Sequence, residues 1–526
     1  MSTPALRRAD WRFLLPGAES GVFEHLVVIG GPEFLAECLR DAGAARQVSR
    51  GTSPAADADA VAVLADARVQ PEAAAAGLAP GGALYVEVDR RRPGRRLLTP
   101  ARMERRLRRV GLTVTARHWV IPEITQARRY LPLDAPRALD WFLTTLQPAK
   151  SLAADLVVRG LQGLAAGDTA RIAPWVPCYG ITAVRGEPRL PALLEREELP
   201  GGRMALGTRT ALITSGEDDG SRVVLLPFPE RARAPEIALK AARIERFNAH
   251  TEWEQALLRQ LREQLEPALR GSLPEPLGCF RHGRSVVGME SVAPGRAMTV
   301  TSGRWGTPHA VAVEDLRAAT EWLSAFHAQA AVGWCWSAER AAALVRRIDA
   351  YGARFAPPLQ VRQLLDLAGA RAGELTGRPL PLVWVHNDYG PWNIYRHGGR
   401  LTVIDWEFGG EDETGRHGPA LTDLIYFVTA WSTRVWRLSP PGGEPTAVRR
   451  LFAAGEPGDD IARAAQAALH DYMRRLAIDP RFLPLLLVYT WVERALDRHD
   501  RQGPSGRNPY VDHLAALAPA SERLFR

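Results

Sequence analysis

Lysine is almost missing from this chain. Of its 67 basic residues, 65 are arginine and only Lys150 and Lys240 are lysine, a bias that GC-rich coding would produce. A compact ammonium and a planar guanidinium group do different chemical work. A lysine that persists in such a chain is therefore expected where arginine cannot replace it.

Cysteine and long apolar segments are also scarce. The four cysteines lie far apart, without metal-ligand spacing or a disulfide pattern, which favours a reducing cytoplasm. No run of about 18 apolar residues is present, so neither a transmembrane helix nor a membrane partner is expected. The segment Met1–Asp10 lacks an apolar core, and we expect no secretory signal there.

A basic stripe with interleaved aromatic residues is absent as well. The net charge is +8, but the arginines are scattered, often as helical pairs such as Arg105-Arg106, which is typical of solvated helix faces. The sequence therefore predicts no nucleic-acid partner.

The length of 526 residues predicts several domains. Residues 1–190 alternate apolar strands with helical segments, which favours a parallel α/β sheet. The turn Ala79-Pro80-Gly81-Gly82 is expected to precede the third strand, and a strand at 177–184 is expected to return to the sheet. Predicted strands in this part lie at 26–29, 59–64, 83–88, 112–120 and 177–184, and predicted helices at 33–42, 103–110 and 136–164.

The Pro-, Gly- and Glu-rich segment 186–202 is the predicted domain boundary. Residues 200–295 are rich in strands, with one strong helix at 247–265, and residues 296–526 are mostly helical apart from a hairpin at 383–405. The predicted strands of the middle part lie at 204–214, 222–228, 236–241 and 285–292.

The segment Val383 to Phe408, VWVHNDYGPWNIYRHGGRLTVIDWEF, carries the clearest chemical signal. His386-x-Asp388 is followed by Asn393, a Gly-Gly turn, an apolar strand and Asp405. Phosphoryl transfer needs one carboxylate near the incoming hydroxyl, with an amide oxygen and a second carboxylate for metal ions. A short loop and a hairpin can bring these three groups together.

This segment resembles the aminoglycoside phosphotransferase and choline kinase family, small-molecule relatives of the protein kinases. The resemblance covers about residues 203 to 526, with Asn387 in place of a frequent glycine. It implies a bilobal kinase-like fold, with a small lobe at 200–295 and a large helical lobe at 296–526. It also implies ATP as phosphoryl donor, Asp388 as catalytic base, and Mg²⁺ held by Asn393 and Asp405.

The same resemblance assigns nucleotide-binding residues upstream. Lys240 is expected to reach the phosphates, tethered by Glu254 on the following helix, with Glu252 as an alternative tether. These groups are expected to meet Asp388, Asn393 and Asp405 at one cleft. Ser215 and Gly216 would lie in the phosphate loop, although an ordinary hairpin turn also fits, and Glu290 and Val292 would lie in the adenine-binding hinge, for which a plain strand end is the alternative.

The N-terminal part is loosely similar to class I methyltransferases, a Rossmann-like fold. The strings APGGALYVEVD and RRVGLTVTARHW carry the similarity, but the acidic cofactor residues are absent. We therefore expect a degenerate, non-catalytic domain that acts as a scaffold or binds a protein partner. The predicted fold class is accordingly α/β plus α+β: a methyltransferase-like sheet domain followed by a kinase-like domain.

Three hypotheses follow for the whole chain. The first is a phosphotransferase acting on a small-molecule hydroxyl; the others are a nucleotide-binding pseudokinase and a bifunctional methyltransferase–kinase. No A-P-E string follows Asp405, which disfavours a peptide substrate. The side chains after the metal site could line an acceptor pocket for a cation or form a solvated loop: Trp406, Glu407, Glu411, Asp412 and Glu413.

Overall fold

The chain divides into two compact units in a computed structural model. The first comprises residues 1–144, 156–255 and 275–292, and the second residues 145–155, 256–274 and 293–526. The described residues are 6–17, 21–52, 57–149, 151–167, 172–214, 216, 220–230, 232–333, 335–408, 417–438, 442–503 and 507–526.

A twelve-stranded mixed sheet forms the centre of the first unit. Its strands are β1 Phe23–Ile29, β2 Ala45–Gly51, β3 Ala58–Val63, β4 Leu78–Asp89, β5 Thr113–Ile121, β6 Arg129–Pro132, β7 Cys178–Val184, β8 Arg209–Ile213, β9 Val223–Phe228, β10 Ile237–Ala241, β11 Pro276–His282 and β12 Ser285–Ser291. Their order in the sheet is β11-β12-β10-β9-β8-β6-β5-β7-β4-β3-β1-β2.

Only one end of the sheet is parallel. Strands β2, β1, β3 and β4 pair in parallel, and the buried apolar runs of β1, β3 and β4 agree with the predicted parallel sheet. Strand β7 inserts antiparallel between β4 and β5, so its predicted return to the sheet is confirmed. The turn predicted at Ala79–Gly82 is wrong, because these residues lie within β4. Gly81 and Gly82 lie where the register between β4 and β3 shifts and where the backbones of these two strands approach each other closely. The chain does not reverse direction at these residues.

The two halves of the sheet join between β6 and β8. Arg129 pairs with Ile213 and Tyr130 with Leu212 in an antiparallel ladder. The sequence analysis missed β6, a four-residue strand ending in proline, and also β11. The predicted boundary at 186–202 therefore lies inside the first compact unit, and the division into domains 1–190, 200–295 and 296–526 stays a prediction.

The N-terminal segment is packed into the core of this unit. Trp11 stacks on Tyr85 with ring centroids 4.4 Å apart. Arg243, just after β10, donates from Nε to Asp10 Oδ2 at 2.9 Å, and both side chains are fully buried. A buried pair of this kind is costly to break from one side, because the remaining charge loses its partner.

The helices from residue 34 to residue 264 mostly follow the predicted segments. Helix α3 begins where Thr99 caps it by accepting from the Arg102 N–H, with Pro100 in its first turn. The helices are α1 Phe34–Asp41, α2 Pro71–Ala75, α3 Pro100–Arg109, α4 Pro136–Thr145, α5 Leu152–Gly167 and α6 Asn248–Gln264.

The second unit is mainly helical, as predicted. Its helices are α7 Pro267–Arg270, α8 Met298–Thr301, α9 His309–Gln329, α10 Ala338–Phe355, α11 Leu359–Glu374, α12 Thr422–Val435, α13 Gly443–Val448, α14 Asp460–Arg475, α15 Phe482–Gln502, α16 Pro509–Leu517 and α17 Ser521–Phe525. Its short strands are β13 Arg296–Ala297, β14 Ala331–Gly333, β15 Leu382–Val383, β16 Ile394–His397, β17 Arg400–Val403 and β18 Gly418–Pro419.

A tight hairpin connects β16 to β17. Gly398 and Gly399 occupy the turn with φ of 52° and 80°. Two successive positive φ angles are what a two-residue hairpin requires, and glycine adopts them without strain. This hairpin places Asn393 before one strand and Asp405 after the other.

None of the described helices combines the length and the apolar character needed to cross a lipid bilayer.

Candidate active site

The loop 386–388 is held in place by one buried carboxylate. Asp423, on the first turn of α12, accepts from the His386 N–H at 2.6 Å and from the Asn387 N–H at 2.9 Å. Burial raises the pKa of Asp423, and the two backbone bonds act in the opposite direction. Asp423 therefore fixes the backbone of the loop from the adjacent helix.

His386 links the loop to the strand that precedes Asp405. Its Nε2 lies 2.9 Å from the Ile404 carbonyl oxygen, and its Nδ1 accepts from the Asp388 N–H at 3.2 Å. An imidazole that accepts at Nδ1 carries its proton on Nε2. The neutral ring thus satisfies both contacts and fixes Asp388 relative to residue 404.

Asp388 accepts three side-chain hydrogen bonds. Oδ2 accepts from Trp392 Nε1 at 3.0 Å and from Asn393 Nδ2 at 2.9 Å, and Oδ1 accepts from the Tyr426 hydroxyl at 3.0 Å. Burial raises the pKa of Asp388, while the bond from Trp392 lowers it. A fixed carboxylate with a raised pKa suits a general base.

Asn393 is oriented by the same carboxylate. Its Nδ2 donates to Asp388 Oδ2 and also to the Asp388 carbonyl oxygen at 3.0 Å. With the nitrogen facing Asp388, the amide oxygen faces away and is left to accept a cation. The Ile404 N–H donates to the Asn393 carbonyl oxygen at 2.9 Å. This bond holds Asp405, the residue after Ile404, close to Asn393.

Asp405 completes the oxygen set predicted from the sequence. It is half-buried and has a φ of 69°, a left-handed conformation that costs a non-glycine residue energy and is often found at functional sites. Burial is the main cause of the raised pKa of Asp388, and repulsion from the negative charge of Asp405 adds to it. A divalent cation would relieve that repulsion, and two hard oxygen donors, one amide and one carboxylate, fit Mg²⁺.

A cluster of three or more His, Cys, Asp and Glu side chains arranged for a metal is not found among the described residues. The candidate site has two carboxylates, and its third oxygen comes from an asparagine.

In the first unit, Lys240 lies between two carboxylates. Its Nζ is 2.9 Å from Glu254 Oε1 and 2.8 Å from Glu290 Oε1, and Arg222 also pairs with Glu254. The predicted tether is thus found on Glu254, whose side chain is 1 % exposed, whereas the alternative Glu252 is exposed.

The two glutamates have opposite electrostatic environments. Burial acts to raise the pKa of Glu254, but Arg222 and Lys240 together lower it to about 2. For Glu290, burial raises the pKa to about 7, with Glu254 adding to the rise and Lys240 opposing it. The sequence analysis placed Glu290 in the hinge for its backbone and missed this side-chain contact.

The remaining predicted nucleotide residues are less clearly placed. Ser215 lies outside the described residues, and Gly216 packs against Ser221, where a Cβ would clash. The Val292 N–H donates to the Glu236 carbonyl oxygen at 3.0 Å, so this donor is used within the sheet. The phosphate-loop and hinge assignments, and the meeting of Lys240 with Asp388, Asn393 and Asp405 at one cleft, stay predictions.

Two residues near the site belong to the core. Trp406 is fully buried, with its ring 4.6 Å from that of His386 and its Nε1 donating to the Val403 carbonyl oxygen. The suggestion that Trp406 lines an acceptor pocket is therefore wrong, because aromatic packing holds the ring inside the unit. Glu407 is also buried, while Glu411, Asp412 and Glu413 lie outside the described residues.

Several residues beside Asp388 were missed by sequence analysis. Trp392 was within the motif, but neither its bond to Asp388 nor the neighbours on other helices follow from spacing. These neighbours are Tyr426 and Arg434 on α12, Glu444 on α13, and Arg494 on α15.

Comparison with known proteins gives a family match for the C-terminal part. Residues 222–474 match the model described as "Phosphotransferase enzyme family". No curated protein matches the chain.

Solved structures similar to the chain include three phosphotransferases. A glucosamine kinase in complex with glucosamine, ADP and inorganic phosphate is 19% identical, with a TM-score of 0.35, over 61% of this chain and 82% of that one. A macrolide 2'-phosphotransferase from Brachybacterium faecium is 17% identical, with a TM-score of 0.35, over 62% and 96%. An aminoglycoside phosphotransferase from Streptomyces rimosus, in complex with ADP and streptomycin, is 15% identical, with a TM-score of 0.30, over 57% and 93%.

Proposed function

We propose that this chain, whose residues 222–474 match the phosphotransferase enzyme family model, transfers the γ-phosphoryl group of ATP to a hydroxyl of a small molecule. The observation that carries the proposal is the environment of Asp388. Three donors fix this carboxylate, and its pKa is raised by burial.

Asp388 acts as the general base. One of its oxygens receives the proton of the acceptor hydroxyl as that oxygen attacks the γ-phosphorus. The new bond joins the acceptor oxygen to phosphorus, the bond from phosphorus to the bridging oxygen of ADP breaks, and ADP leaves with that electron pair. Trp392, Asn393 and Tyr426 keep the carboxylate in one rotamer, so attack starts from an ordered arrangement.

Asn393 and Asp405 hold the metal. Mg²⁺ bound by the outward amide oxygen of Asn393 and the carboxylate of Asp405 would neutralise phosphate charge. His386 contributes indirectly, because it ties the backbone of Asp388 to the residue before Asp405.

Lys240 binds the phosphates of ATP, and Glu254 orients its ammonium group. Because Glu290 also contacts Lys240, nucleotide phosphates compete with that carboxylate for the cation. Backbone groups of Glu290 and Val292, with the loop around Ser215 and Gly216, are the proposed remaining nucleotide contacts.

The N-terminal part is proposed to be non-catalytic and to act as a scaffold or to bind a protein partner. At the end of β1, where a Rossmann-like fold would bind a cofactor, the Gly31 N–H donates to Asp66 Oδ1 at 2.6 Å. A Cβ on Gly31 would meet Leu64 Cδ1 at 2.2 Å, so the chain itself fills this space. These contacts favour a scaffold over a methyltransferase.

A nucleotide-binding pseudokinase is the alternative. The second carboxylate on Lys240 favours it, since an occupied ammonium binds phosphate less readily. The complete set of Asp388, Asn393 and Asp405 favours the enzyme, because a binding module has no use for a fixed base.

The variant Asp388→Asn tests the base. Asparagine has the same shape: its oxygen can accept from Trp392 and Asn393 while its amide nitrogen donates to the Tyr426 hydroxyl, so the fold and ATP binding should be retained. Transfer of label from γ-labelled ATP to a metabolite panel should fall by about 10²- to 10⁴-fold.

The exposed carboxylate of Asp460 provides a matched control, and Asp460→Asn should turn over normally. Wild-type rates in Asp388→Asn would show that Asp388 is not the base. Thermal stabilisation by ATP with Mg²⁺, but no transfer to any acceptor, would favour the pseudokinase.

A further inference from the structure

Two arginines lie against the aromatic side chains that donate hydrogen bonds to Asp388. The guanidinium carbon of Arg434 lies 4.4 Å from the ring centroid of Trp392, and that of Arg494 lies 3.4 Å from the ring centroid of Tyr426. Both rings donate to Asp388. Each of these cations is therefore one aromatic side chain away from the base, and they come from different helices.

Arg498 extends this cluster by one helical turn. It follows Arg494 at i+4 on α15, so both side chains lie on one face of the helix. Its Nε is buried and has no hydrogen-bond partner among the described residues. A buried guanidinium donor without a partner is costly in the free protein and is satisfied when a ligand accepts from it.

Carboxylates lie close to these arginines as well, and the charges of Asp388 and Asp423 raise the pKa of Arg494 against the effect of its burial. Beside Asp388, the carboxylate of Glu444 faces the three arginines, and burial raises the pKa of Glu444 while their charges lower it. Glu444 Oε2 lies 3.6 Å from His513 Nε2, and burial together with Arg494 lowers the pKa of His513 to about 3, so this ring stays neutral. Within the described chain, none of the three arginines forms an ion pair with a carboxylate.

The hydrogen bonds that these arginines form do not use all of their N–H donors. Arg494 donates one N–H to the Asn387 carbonyl oxygen, and Arg434 donates one to the carbonyl oxygen of Ala430, one turn earlier in its own helix. A guanidinium has five N–H donors in a planar fork that matches a carboxylate or a phosphate. The unused donors beside Asp388 are arranged for an anion.

We propose that the acceptor is an anionic hydroxy compound, whose carboxylate or phosphate group binds Arg498 and Arg434 while its hydroxyl reaches Asp388. This inference rests on the proposed function and names the class of its substrate. It runs opposite to the cationic acceptor suggested by the acids after Asp405.

The phosphates of ATP are the other anions that could bind these arginines, and kinetics separates the two sources. If the arginines bind the acceptor, their loss raises KM for the acceptor and leaves KM for ATP unchanged. If they bind ATP, the effect is on KM for ATP and is the same for every acceptor.

The first experiment compares acceptors in matched pairs. Hydroxy acids are offered with their methyl esters, and sugar phosphates with the free sugars and amino sugars, while ADP release is measured. We expect turnover of anionic members, with at least tenfold higher kcat/KM than their neutral partners. Preferred turnover of neutral or amino compounds would overturn the inference and leave the proposed phosphotransferase activity intact.

The second experiment uses Arg498→Gln, with Arg498→Lys and Arg463→Gln for comparison. Arg498 has no side-chain partner in the described residues, so its replacement should not disturb the fold. For the anionic acceptor we expect KM to rise about tenfold or more in Arg498→Gln, with partial recovery in Arg498→Lys. The neutral ester should be insensitive, and Arg463→Gln, which changes an exposed arginine of α14, should match wild type.

A binding measurement keeps the inference testable without turnover. Thermal unfolding is followed with the same hydroxy acids and esters. Stabilisation by the acids alone, lost in Arg498→Gln, supports the inference. Equal stabilisation of wild type and variant, or a change confined to KM for ATP, contradicts it.

Discussion

At the scale of single residues, Lys240 shows what the shortage of lysine signifies. Its small ammonium group lies between Glu254 and Glu290 and contacts both carboxylates. The cationic group of arginine is larger and planar, so it would contact the two carboxylates in a different geometry. The pairing with Glu254 follows from spacing along the chain. The contact with Glu290 depends on register, because Lys240 faces Gly288 across the sheet and Glu290 is its diagonal neighbour.

Replacement of Glu290 by glutamine is expected to change how stability depends on pH. The folded-state pKa of Glu290 is raised to about 7 from 4.5. Its contribution is therefore fully present below about pH 4.5 and is lost as pH rises towards 7, because folding then opposes ionisation. In Glu290→Gln this loss, on the order of 3 kcal/mol, should disappear from urea unfolding measured between pH 5 and 8.

Glu252→Gln provides the matched comparison on the exposed side of α6, and its pH profile should be that of wild type. A Glu290→Gln profile with an unchanged slope would contradict the assigned environment.

The carboxylate of Glu254 should affect stability at low pH instead. Its pKa is lowered to about 2, so its contribution to stability is present above about pH 4.5 and is lost as pH falls towards 2.

At the scale of elements, the sequence indicated the loop 386–388 and the hairpin of β16 and β17 more directly than the packing of the helices around them. His386, Asp388, Asn393 and Asp405 lie within 20 residues of one another, so their relation follows from local turn chemistry. Tyr426 bonds to Asp388, and Arg434 and Arg494 stack on the rings beside it, through a packing of α12 and α15 that no local pattern encodes. For the same reason β6, a short strand with a single buried stretch, was missed.

The backbone conformation of the loop limits which residues are tolerated at position 387. Asn387 has a φ of 60°, which glycine adopts freely, asparagine tolerates and β-branched residues resist. Asn387→Val should therefore destabilise the protein by about 1–2 kcal/mol and reduce kcat, because the strain falls next to Asp388.

Asn387→Gly is the companion variant. It relieves the backbone but loses the bond from Nδ2 to the Phe408 carbonyl oxygen, so its stability should stay near that of wild type. Urea unfolding and γ-labelled ATP turnover measure both effects. Valine tolerated as well as glycine would show that φ at this position does not matter.

At the scale of the whole molecule, the first unit is organised around one sheet, and one buried cluster spans both halves of that sheet. Leu212, Leu225 and Leu239 from the predicted small lobe belong to the same buried cluster as Trp11 and Tyr85 from the N-terminal part. Composition suggested a boundary at 186–202, since Pro, Gly and Glu are typical of linkers. Composition cannot show that the strands on either side of such a segment pair with each other.

A chain shortened to begin at residue 203 is therefore expected not to fold. It would lose the pairing of β6 with β8 and the buried contact of Asp10 with Arg243, and would expose the apolar cluster. Circular dichroism and urea unfolding should show no cooperative transition for the shortened chain. A soluble product with cooperative unfolding would instead support the predicted independent domains.

The joined sheet also limits how copies of the chain can associate. Because β8 is paired with β6, the backbone N–H and C=O groups on that side of β8 are not available to pair with a strand of another molecule. The described sheet keeps two free edges, and neither is a long flat apolar template. Strand β2 exposes Arg46 and Gln47, and β11 has an irregularity between Pro276 and Gly278, features that discourage intermolecular strand addition and so oppose aggregation through the sheet.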